Sequence, residues 1–260
     1  MKTNKNDYID AEAIAEAVGR PTMRLVPIKS DGQLDFESLD RVRERWVMRR
    51  TAVVNQMRGL LLERGITVRK GRSHMEAALP GILEDGEANL SGALRFLLAQ
   101  LSVELEQTSQ RIGEADAAIQ TTVRENEACR RLVGIPGIGP VIATAVVAAI
   151  GNGAAFRKGR EFAAWVGVVP RQRSTGGKQT LLGISKRGNA YLRRLFVQGA
   201  RAVLQQKASQ SAGLRAWLDP LTARTHHHVA CVALANKLAR TAWAVLSSGE
   251  AYRPPQAAAV

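Results

Sequence analysis

The chain has 260 residues, a mass of 28.2 kDa and a formal net charge of +14, from 37 Lys and Arg against 23 Asp and Glu. This length suits one or two domains, and the charge favours a polyanionic partner because each neutralised phosphate releases condensed counterions. Aromatic residues make up only 5% of the chain, which favours packed helices over a β-sandwich. The longest apolar run, residues 141–150, is half a membrane span, and residues 1–10 lack the apolar core of a signal peptide. We therefore expect a cytoplasmic protein with no membrane partner.

The positive charge is concentrated in the second half of the chain. Between residues 162 and 218 there is no Asp or Glu, and there are ten Lys and Arg. A run of like charges is usually a solvated helix face, but a complete lack of counter-charge over this length favours a nucleic-acid surface. The two cysteines, Cys129 and Cys231, have no metal-ligand or disulfide-framework spacing.

The N-terminal segment carries a pair of carboxylates. Residues 10–18 are predicted to form a short helix that ends at Gly19, and residues 23–28 an extended stretch. Asp7 and Asp10 are three residues apart, so a helix would place both on one side, where carboxylate oxygens can bind Mg²⁺. The alternative is that Asp10 is a helix N-cap and Asp7 a solvated surface residue.

Two long helices are predicted next, one over residues 35–63 and one over the heptad pattern of residues 94–119. An intermolecular coiled coil, and hence a homo-oligomer, is expected from this pattern, and an intramolecular antiparallel pair fits it equally well. The stronger apolar seam consists of Leu94, Leu98, Leu101, Leu105, Thr108, Ile112, Ala115 and Ile119. The weaker seam consists of Val42, Trp46, Val53, Met57 and Leu60.

A glycine-rich turn precedes the apolar run 141–150. Gly137, Ile138 and Gly139 would form a sharp turn whose backbone comes close to a ligand, and the following helix would present its N–H groups to a phosphate. This pattern resembles the hairpin of a helix-hairpin-helix module, which contacts the DNA backbone without reading sequence. The alternative is a plain Gly-Pro turn between two helices.

The acid-free stretch contains a candidate nucleophile. Ser174 precedes Thr175-Gly176-Gly177, and we expect a flexible loop with Arg171, Arg173 and Lys178 around the hydroxyl, a setting that attracts a phosphodiester. The alternative is an ordinary surface loop.

Two helices follow. The first has Leu192, Leu195, Phe196, Gly199 and Val203 facing the core and Arg194, Gln198, Arg201 and Gln205 facing outward, and the last spans residues 225–247 with Cys231, Leu234, Leu238, Ala242 and Val245 buried.

Together these segments resemble transposases of the insertion-sequence 110 family, particularly its 1111 branch. The similarity is collinear and covers most of the chain, over residues 5–16, 20–30, 49–65, 132–150, 162–194 and 233–243. The resemblance implies a mostly α-helical protein in three parts: residues 1–30 as the C-terminal remnant of a ribonuclease-H-like domain of the Holliday-junction-resolvase type, residues 31–127 as a helical coiled-coil region, and residues 128–260 as a compact transposase domain.

The resemblance also implies a recombinase that cuts and rejoins DNA through a serine nucleophile, with Mg²⁺-binding carboxylates and a structured guide RNA. By position, Ser174 matches the family's serine, and Asp7 and Asp10 match the last two of its four carboxylates. The surrounding motif is matched by Gly176, Lys186, Gly188, Asn189 and Arg193. Further nucleic-acid contacts are expected at Arg171, Arg173, Lys178, Arg187, Arg194 and Arg201, and the protein is expected to associate with the nucleoid.

The first Asp and the Glu of the family pattern have no counterpart before Asp7. Two carboxylates cannot hold a two-metal arrangement by themselves. We therefore expect either an N-terminally truncated recombinase or a misassigned start, and the alternative function is a non-catalytic protein that binds DNA or RNA.

Overall fold

The computed structural model describes residues 7–20, 27–206 and 210–254 and confirms a mostly α-helical fold. The ribonuclease-H-like origin of the N-terminal part and the three domain boundaries stay predictions. The described elements are α1 (Asp7–Val18), α2 (Asp31–Leu62), α3 (Arg72–Glu84), α4 (Gly92–Glu125), α5 (Glu127–Val133), α6 (Pro140–Ile150), α7 (Gly159–Val166), β1 (Pro170–Thr175), β2 (Lys178–Ile184), α8 (Ala190–Gln205), α9 (Ala212–Arg224) and α10 (His227–Ser248).

The first two helices begin earlier than the sequence predicted. α2 begins at Asp31 because Ser30 and Gln33 form a capping box, in which the Ser30 side chain accepts from the Gln33 N–H and the Gln33 side chain accepts from the Ser30 N–H. α1 begins at Asp7, so Asp7 and Asp10 both lie in its first turn and Asp10 is not an N-cap. The extended stretch predicted over residues 23–28 lies mostly outside the described residues.

α2 and α4 pack as an antiparallel pair within one chain. Their direction follows from two ion pairs, Arg43 Nε to Asp116 Oδ1 at 2.5 Å and Arg49 Nε to Glu104 Oε1 at 2.7 Å. The predicted α4 seam is buried except for Leu101, which is half-buried. The α2 seam was predicted less well. Its buried residues are Asp40, Val53, Val54, Met57 and Leu61, and Val42 is exposed. The structure thus has the intramolecular pair, and a homo-oligomeric coiled coil stays a prediction.

The larger apolar core lies in the C-terminal half and is formed mainly by helices α5 to α10. An aromatic cluster of Phe156, Phe162, Trp165 and Phe196 joins α7 to α8. The backbone turn before α6 packs directly on α8. A Cβ at Gly199 would lie 2.1 Å from the carbonyl oxygen of Gly137, so only glycine permits this contact.

α10 is the central helix of this core. Its predicted stripe of Cys231, Leu234, Leu238, Ala242 and Val245 is buried, as the helical spacing indicated. By length and composition α10 is also long and apolar enough to cross a membrane, although its apolar residues do not form an uninterrupted run. Half of its 18-residue apolar segment is buried inside the protein, which is typical of a core helix.

Candidate functional site

Ser174 lies in a β-hairpin, and the prediction of a flexible loop is wrong. β1 and β2 pair antiparallel, with Ser174 opposite Gln179 and Thr175 opposite Lys178. The two-residue connection is Gly176-Gly177, whose φ angles of +56° and +74° suit the turns that match the twist of paired strands. Two glycines between two β-compatible runs are a recognised hairpin signal, so the sequence did contain this information.

The Ser174 hydroxyl is exposed and oriented. The Gln172 side-chain amide donates a hydrogen bond to Ser174 Oγ at 2.9 Å. Both residues belong to β1, every residue of which is exposed. In this bond Ser174 Oγ is the acceptor. The hydroxyl hydrogen of Ser174 therefore remains available for donation to a base or to solvent. A phosphodiester can therefore approach the hydroxyl directly.

The strand register separates Ser174 from the cations expected around it. Side chains alternate between the two faces of a strand, so Arg173 lies on the face opposite Ser174. Lys178 pairs with Thr175 and therefore shares the face of Arg173. Arg171 lies where the register shifts between Pro170 and Gln172, so alternation does not assign its face. For Arg173 and Lys178, the expectation of cations around the hydroxyl is corrected to a hairpin with a serine face and a cationic face.

The base of the hairpin is fastened to the end of α7. The Lys186 N–H donates to the Gly167 carbonyl at 3.2 Å and the Asn189 N–H donates to the Trp165 carbonyl at 3.2 Å. Gly188 has a φ of +85°, and a Cβ there would lie 1.8 Å from the Trp165 oxygen. Glycine is therefore required for the close approach, which fixes where the hairpin leaves the core.

Asn189 and Arg193 complete this attachment. Asn189 caps α8 by accepting from the Leu192 N–H at 3.0 Å. Arg193 Nη1 donates to the carbonyl oxygens of Val166 at 3.0 Å and Arg187 at 3.3 Å. Both side chains thus position the hairpin from within the chain, and their role as nucleic-acid contacts stays a prediction.

The remaining predicted cations differ in their exposure and in their partners within the chain. The side chains of Lys186 and Arg187 are exposed beside the hairpin base. On α8, Arg194 pairs with Glu44 of α2 and lies over the Tyr191 ring at 5.5 Å. Arg201 donates to Gln198 at 3.3 Å on the same outer stripe. On the predicted outer stripe Arg194, Gln198 and Gln205 are exposed and Arg201 is half-buried, and Arg194 is already paired to a carboxylate.

The Gly137–Gly139 turn is shaped mainly by packing. Gly137 has a φ of +89°, and a Cβ there would lie 2.6 Å from Val203 Cγ2. The Ile138 side chain is buried in the core. Gly139 is exposed and is the N-cap of α6, and a Cβ there would meet nothing within 4 Å. Of the three predicted contacts, Gly139 is the one at the surface, and the helix-hairpin-helix interpretation stays a prediction.

Asp7 and Asp10 are both exposed on α1, a helix that buries none of its residues. In the part of the chain that the structure describes, no group of three or more His, Cys, Asp or Glu side chains could hold a metal ion. Two carboxylates one turn apart can supply oxygen ligands, but they do not complete a two-metal centre.

One buried carboxyl was not predicted. Asp40, on α2, is only 1% exposed and accepts a hydrogen bond from Thr144 Oγ1 of α6 at 3.1 Å. Its other oxygen, Oδ2, has no partner. Burial raises the pKa of the Asp40 carboxyl to about 7, against the opposing effects of Thr144 and the Arg43 guanidinium. The sequence signal was Thr144, a hydroxyl inside an otherwise apolar run, which needs a polar partner when buried.

The fold and site together define a helical protein that projects a serine-bearing, partly cationic β-hairpin from a core of packed helices. Comparison with known proteins gives this class a family. The family model described as "Transposase IS116/IS110/IS902 family" matches residues 129–214, which include the hairpin and most of the helices around it. A second model, described as "Transposase", matches residues 1–65.

Similar proteins extend this match over almost the whole chain. A "Probable family 20 transposase" of Pseudomonas aeruginosa is 47% identical over 255 residues, covering 98% of this chain and 75% of that protein. The "Transposase for insertion sequence element IS1111A" of Coxiella burnetii is 42% identical, covering 97% and 70%. The corresponding protein of element IS1328 of Yersinia enterocolitica is 41% identical, covering 97% and 75%. The chain belongs to the IS116/IS110/IS902 family of transposases, and it is a DNA transposase of an insertion sequence.

Proposed function

We propose that this transposase cuts and rejoins DNA through a covalent intermediate on Ser174. Ser174 Oγ attacks the phosphorus of a phosphodiester and its hydroxyl proton passes to solvent, while the bridging oxygen of one strand end leaves and takes up a proton from solvent. The hydroxyl of a second DNA end then attacks the same phosphorus and releases the serine. Each step exchanges one phosphodiester for another, so no external energy source is needed.

The exposed, hydrogen-bonded hydroxyl of Ser174 is the observation that carries this proposal. A nucleophile must approach within about 3 Å of phosphorus, which requires an uncovered side chain held in one orientation. Gln172 orients the hydroxyl at 2.9 Å, and the contacts of Asn189 and Arg193 hold the hairpin base. Family membership supplies the reaction class, and this serine is the nucleophile that the sequence resemblance assigned.

Asp7 and Asp10 are proposed as two oxygen ligands of Mg²⁺. When bound, the ion would stabilise negative charge on a phosphate. The fit is partial, because no third ligand group accompanies them among the described residues. DNA ends, a structured guide RNA and a second copy of the chain are the proposed partners, supported by the charge of +14 and the acid-free stretch of residues 162–218. Nucleoid association is proposed on the same ground.

Replacing Ser174 with alanine tests the nucleophile. We expect Ser174→Ala to abolish joining of element-end DNA by this chain in Mg²⁺, while the DNA dissociation constant stays within about twofold because one exposed hydroxyl contributes little to phosphate binding. Thr175→Ala is the matched control, since it removes the adjacent hydroxyl on the opposite face of the strand. Joining that survives Ser174→Ala would overturn the assignment.

A second candidate function is nucleic-acid binding without catalysis. The absence of a three-residue metal-ligand group among the described residues favours it. The two candidates differ in one observable, a covalent protein–DNA adduct that resists denaturant. An adduct lost in Ser174→Ala supports catalysis, whereas tight, salt-dependent binding with no adduct under any divalent cation supports the binding protein.

A further inference from the structure

We propose that a groove between the hairpin base and α10 binds a single-stranded nucleic-acid segment, with a base against its apolar floor and phosphates on its cationic rim. The groove has a volume of about 1200 Å³ and is bounded by α7, β2, α9 and α10. The site is distinct from Ser174. It rests on the family's action on DNA and not on the serine mechanism.

The rim of the groove is cationic and carries no acidic side chain. Its charged residues are Lys158, Arg160, Lys186, Lys237 and Arg240. They come from α7 and its N-terminal flank, from the hairpin base and from α10, so the fold gathers them from three separate parts of the sequence. These cations are electrostatically complementary to a phosphate backbone, and they favour a polyanionic partner over a basic or neutral one.

Lys186 is held in an unfavourable backbone conformation beside this rim. Its φ of +55° makes it the only residue other than glycine with a positive φ in the described part of the chain. Its N–H donates to Gly167, which fixes the backbone, while its side chain is exposed and lines the groove. Strained non-glycine residues of this kind concentrate at binding sites.

The floor of the groove is apolar and aromatic. Trp217 of α9 is 37% exposed, and Lys237 Nζ lies 4.9 Å from the centre of its ring. Trp243 and Val229, both on α10, line the same groove. An exposed indole beside cations is the combination that binds single strands, because any base can stack on the ring while its phosphate meets the charge. A duplex keeps its bases stacked inside and cannot use the floor.

The groove meets the hairpin at its base. Leu182, Gly183 and Ile184 of β2 line the groove, and they lie at the end of the hairpin away from the Gly176-Gly177 turn. Ser174 pairs with Gln179 close to that turn. A strand bound in the groove would therefore lie at the hairpin base, and Ser174, near the tip, would act on a different strand.

Binding of labelled oligonucleotides tests the groove. The probes are fluorescein-labelled oligo-dT and oligo-U of about 12 nucleotides, within the usual site size of single-strand binding grooves. We expect Trp217→Leu to weaken binding of at least one probe about tenfold, because leucine keeps an apolar side chain but removes the stacking surface. The ratio of the oligo-dT and oligo-U affinities shows whether the strand is DNA or RNA.

Charge variants give a test that does not depend on the packing of Trp217. Lys237→Gln is expected to weaken binding and to reduce the slope of log K against log salt by about 0.7, the value for one phosphate contact on a single strand. Arg64→Gln removes the same charge from the exposed turn that follows α2 and should change neither quantity. Affinities of Trp217→Leu and Lys237→Gln within twofold of the Arg64→Gln control would overturn the proposal.

Photo-cross-linking locates the bound base. With 5-bromouracil in the oligonucleotide, we expect adducts on the peptides that contain Trp217 or Trp243, and unchanged adducts in Ser174→Ala. Adducts confined to the hairpin or to the Gly137–Gly139 turn would overturn the groove. Because Ser174→Ala leaves this readout intact, failure of the groove and failure of the serine mechanism are distinguishable.

Discussion

Replacing Asp40 with asparagine is expected to remove most of the pH dependence of this protein's stability between pH 5 and pH 8. Asp40 is buried between α2 and α6, with Thr144 as the partner of one oxygen and none for the other. Its carboxyl is therefore more easily protonated in the folded chain than in the unfolded chain. The stability that protonated Asp40 contributes is fully present at low pH, and it is lost as the pH rises through the pKa that Asp40 has in the folded chain.

The magnitude follows from the pKa values. Burial raises the pKa of Asp40 from 3.8 to about 7. Each pKa unit corresponds to about 1.4 kcal/mol, so ionising Asp40 in the folded chain costs about 4 kcal/mol in total, of which about 3 kcal/mol falls between pH 5 and pH 7. The effect of Glu37 on the pH dependence of stability has the opposite sign. The hydrogen bond from Lys29 lowers the pKa of Glu37 below 4.5, so the stability that ionised Glu37 contributes is lost only at lower pH. Burial raises the pKa of Cys129 to about 12 and also raises that of Tyr191, so neither ionises in this range.

The assay is guanidinium unfolding followed by circular dichroism at pH 5 and pH 8. Wild type should lose about 3 kcal/mol of unfolding free energy over this interval, and Asp40→Asn should lose little because the amide does not titrate. Asp35→Asn, on the exposed face of the same helix, is the matched control and should behave like wild type. An equal pH dependence in wild type and Asp40→Asn would refute the reasoning.

Three further substitutions test the packing of the fold by chemical unfolding, and one of them also tests the attachment of the hairpin by DNA joining and binding. Gly199→Ala places a Cβ 2.1 Å from the Gly137 oxygen and should cost about 3 kcal/mol or more, because two backbones must separate. Leu98→Ala, in the core of the α2–α4 pair, should cost about 3 kcal/mol through the cavity it leaves. Asn189→Ala removes the α8 cap and should cost about 1 kcal/mol, and it should reduce DNA joining more than DNA binding.

Each of these predictions has a result that would contradict it. Stability of Gly199→Ala within about 0.5 kcal/mol of wild type would mean that the turn does not pack on α8 as described. A similarly small effect of Leu98→Ala would mean that the α4 seam is not buried in the isolated chain. If Asn189→Ala lowers DNA affinity and joining equally, then Asn189 contacts nucleic acid and is not only a positioning residue.

Helical periodicity predicted the core well because burial is a local property of helix faces. The α10 stripe is buried as spacing predicted, and so are the α8 stripe and the α4 seam except for Leu195 and Leu101, which are half-buried. Whether α4 packs within one chain or between chains could not follow from its pattern, since both partners offer the same apolar surface. Glycine roles were harder to predict. Gly137 was expected to approach a ligand, and the nearest backbone is that of α8.

The site was predicted in composition but not in arrangement. The sequence identified Ser174, Arg173 and Lys178, and strand alternation places the serine on the face opposite these two cations, which a loop would not do. Of the groove cations, Lys186 was predicted, whereas Lys158, Arg160, Lys237 and Arg240 were missed. These four are far from Lys186 in sequence, and only tertiary packing brings them together with it. The spacing of Asn236 and Arg240 on one face of α10 was the available local signal, and both residues line the groove.

The most direct test of the serine mechanism is mass spectrometry of the hairpin peptide after reaction with element-end DNA. The protein is denatured during the reaction, digested with nuclease and protease, and searched for peptides that carry a nucleotide. The mechanism predicts a nucleotide linked through phosphate to Ser174, present with wild type and with Thr175→Ala and absent with Ser174→Ala. Joined DNA product accompanied by no adduct on Ser174, or by an adduct on another residue, would contradict it.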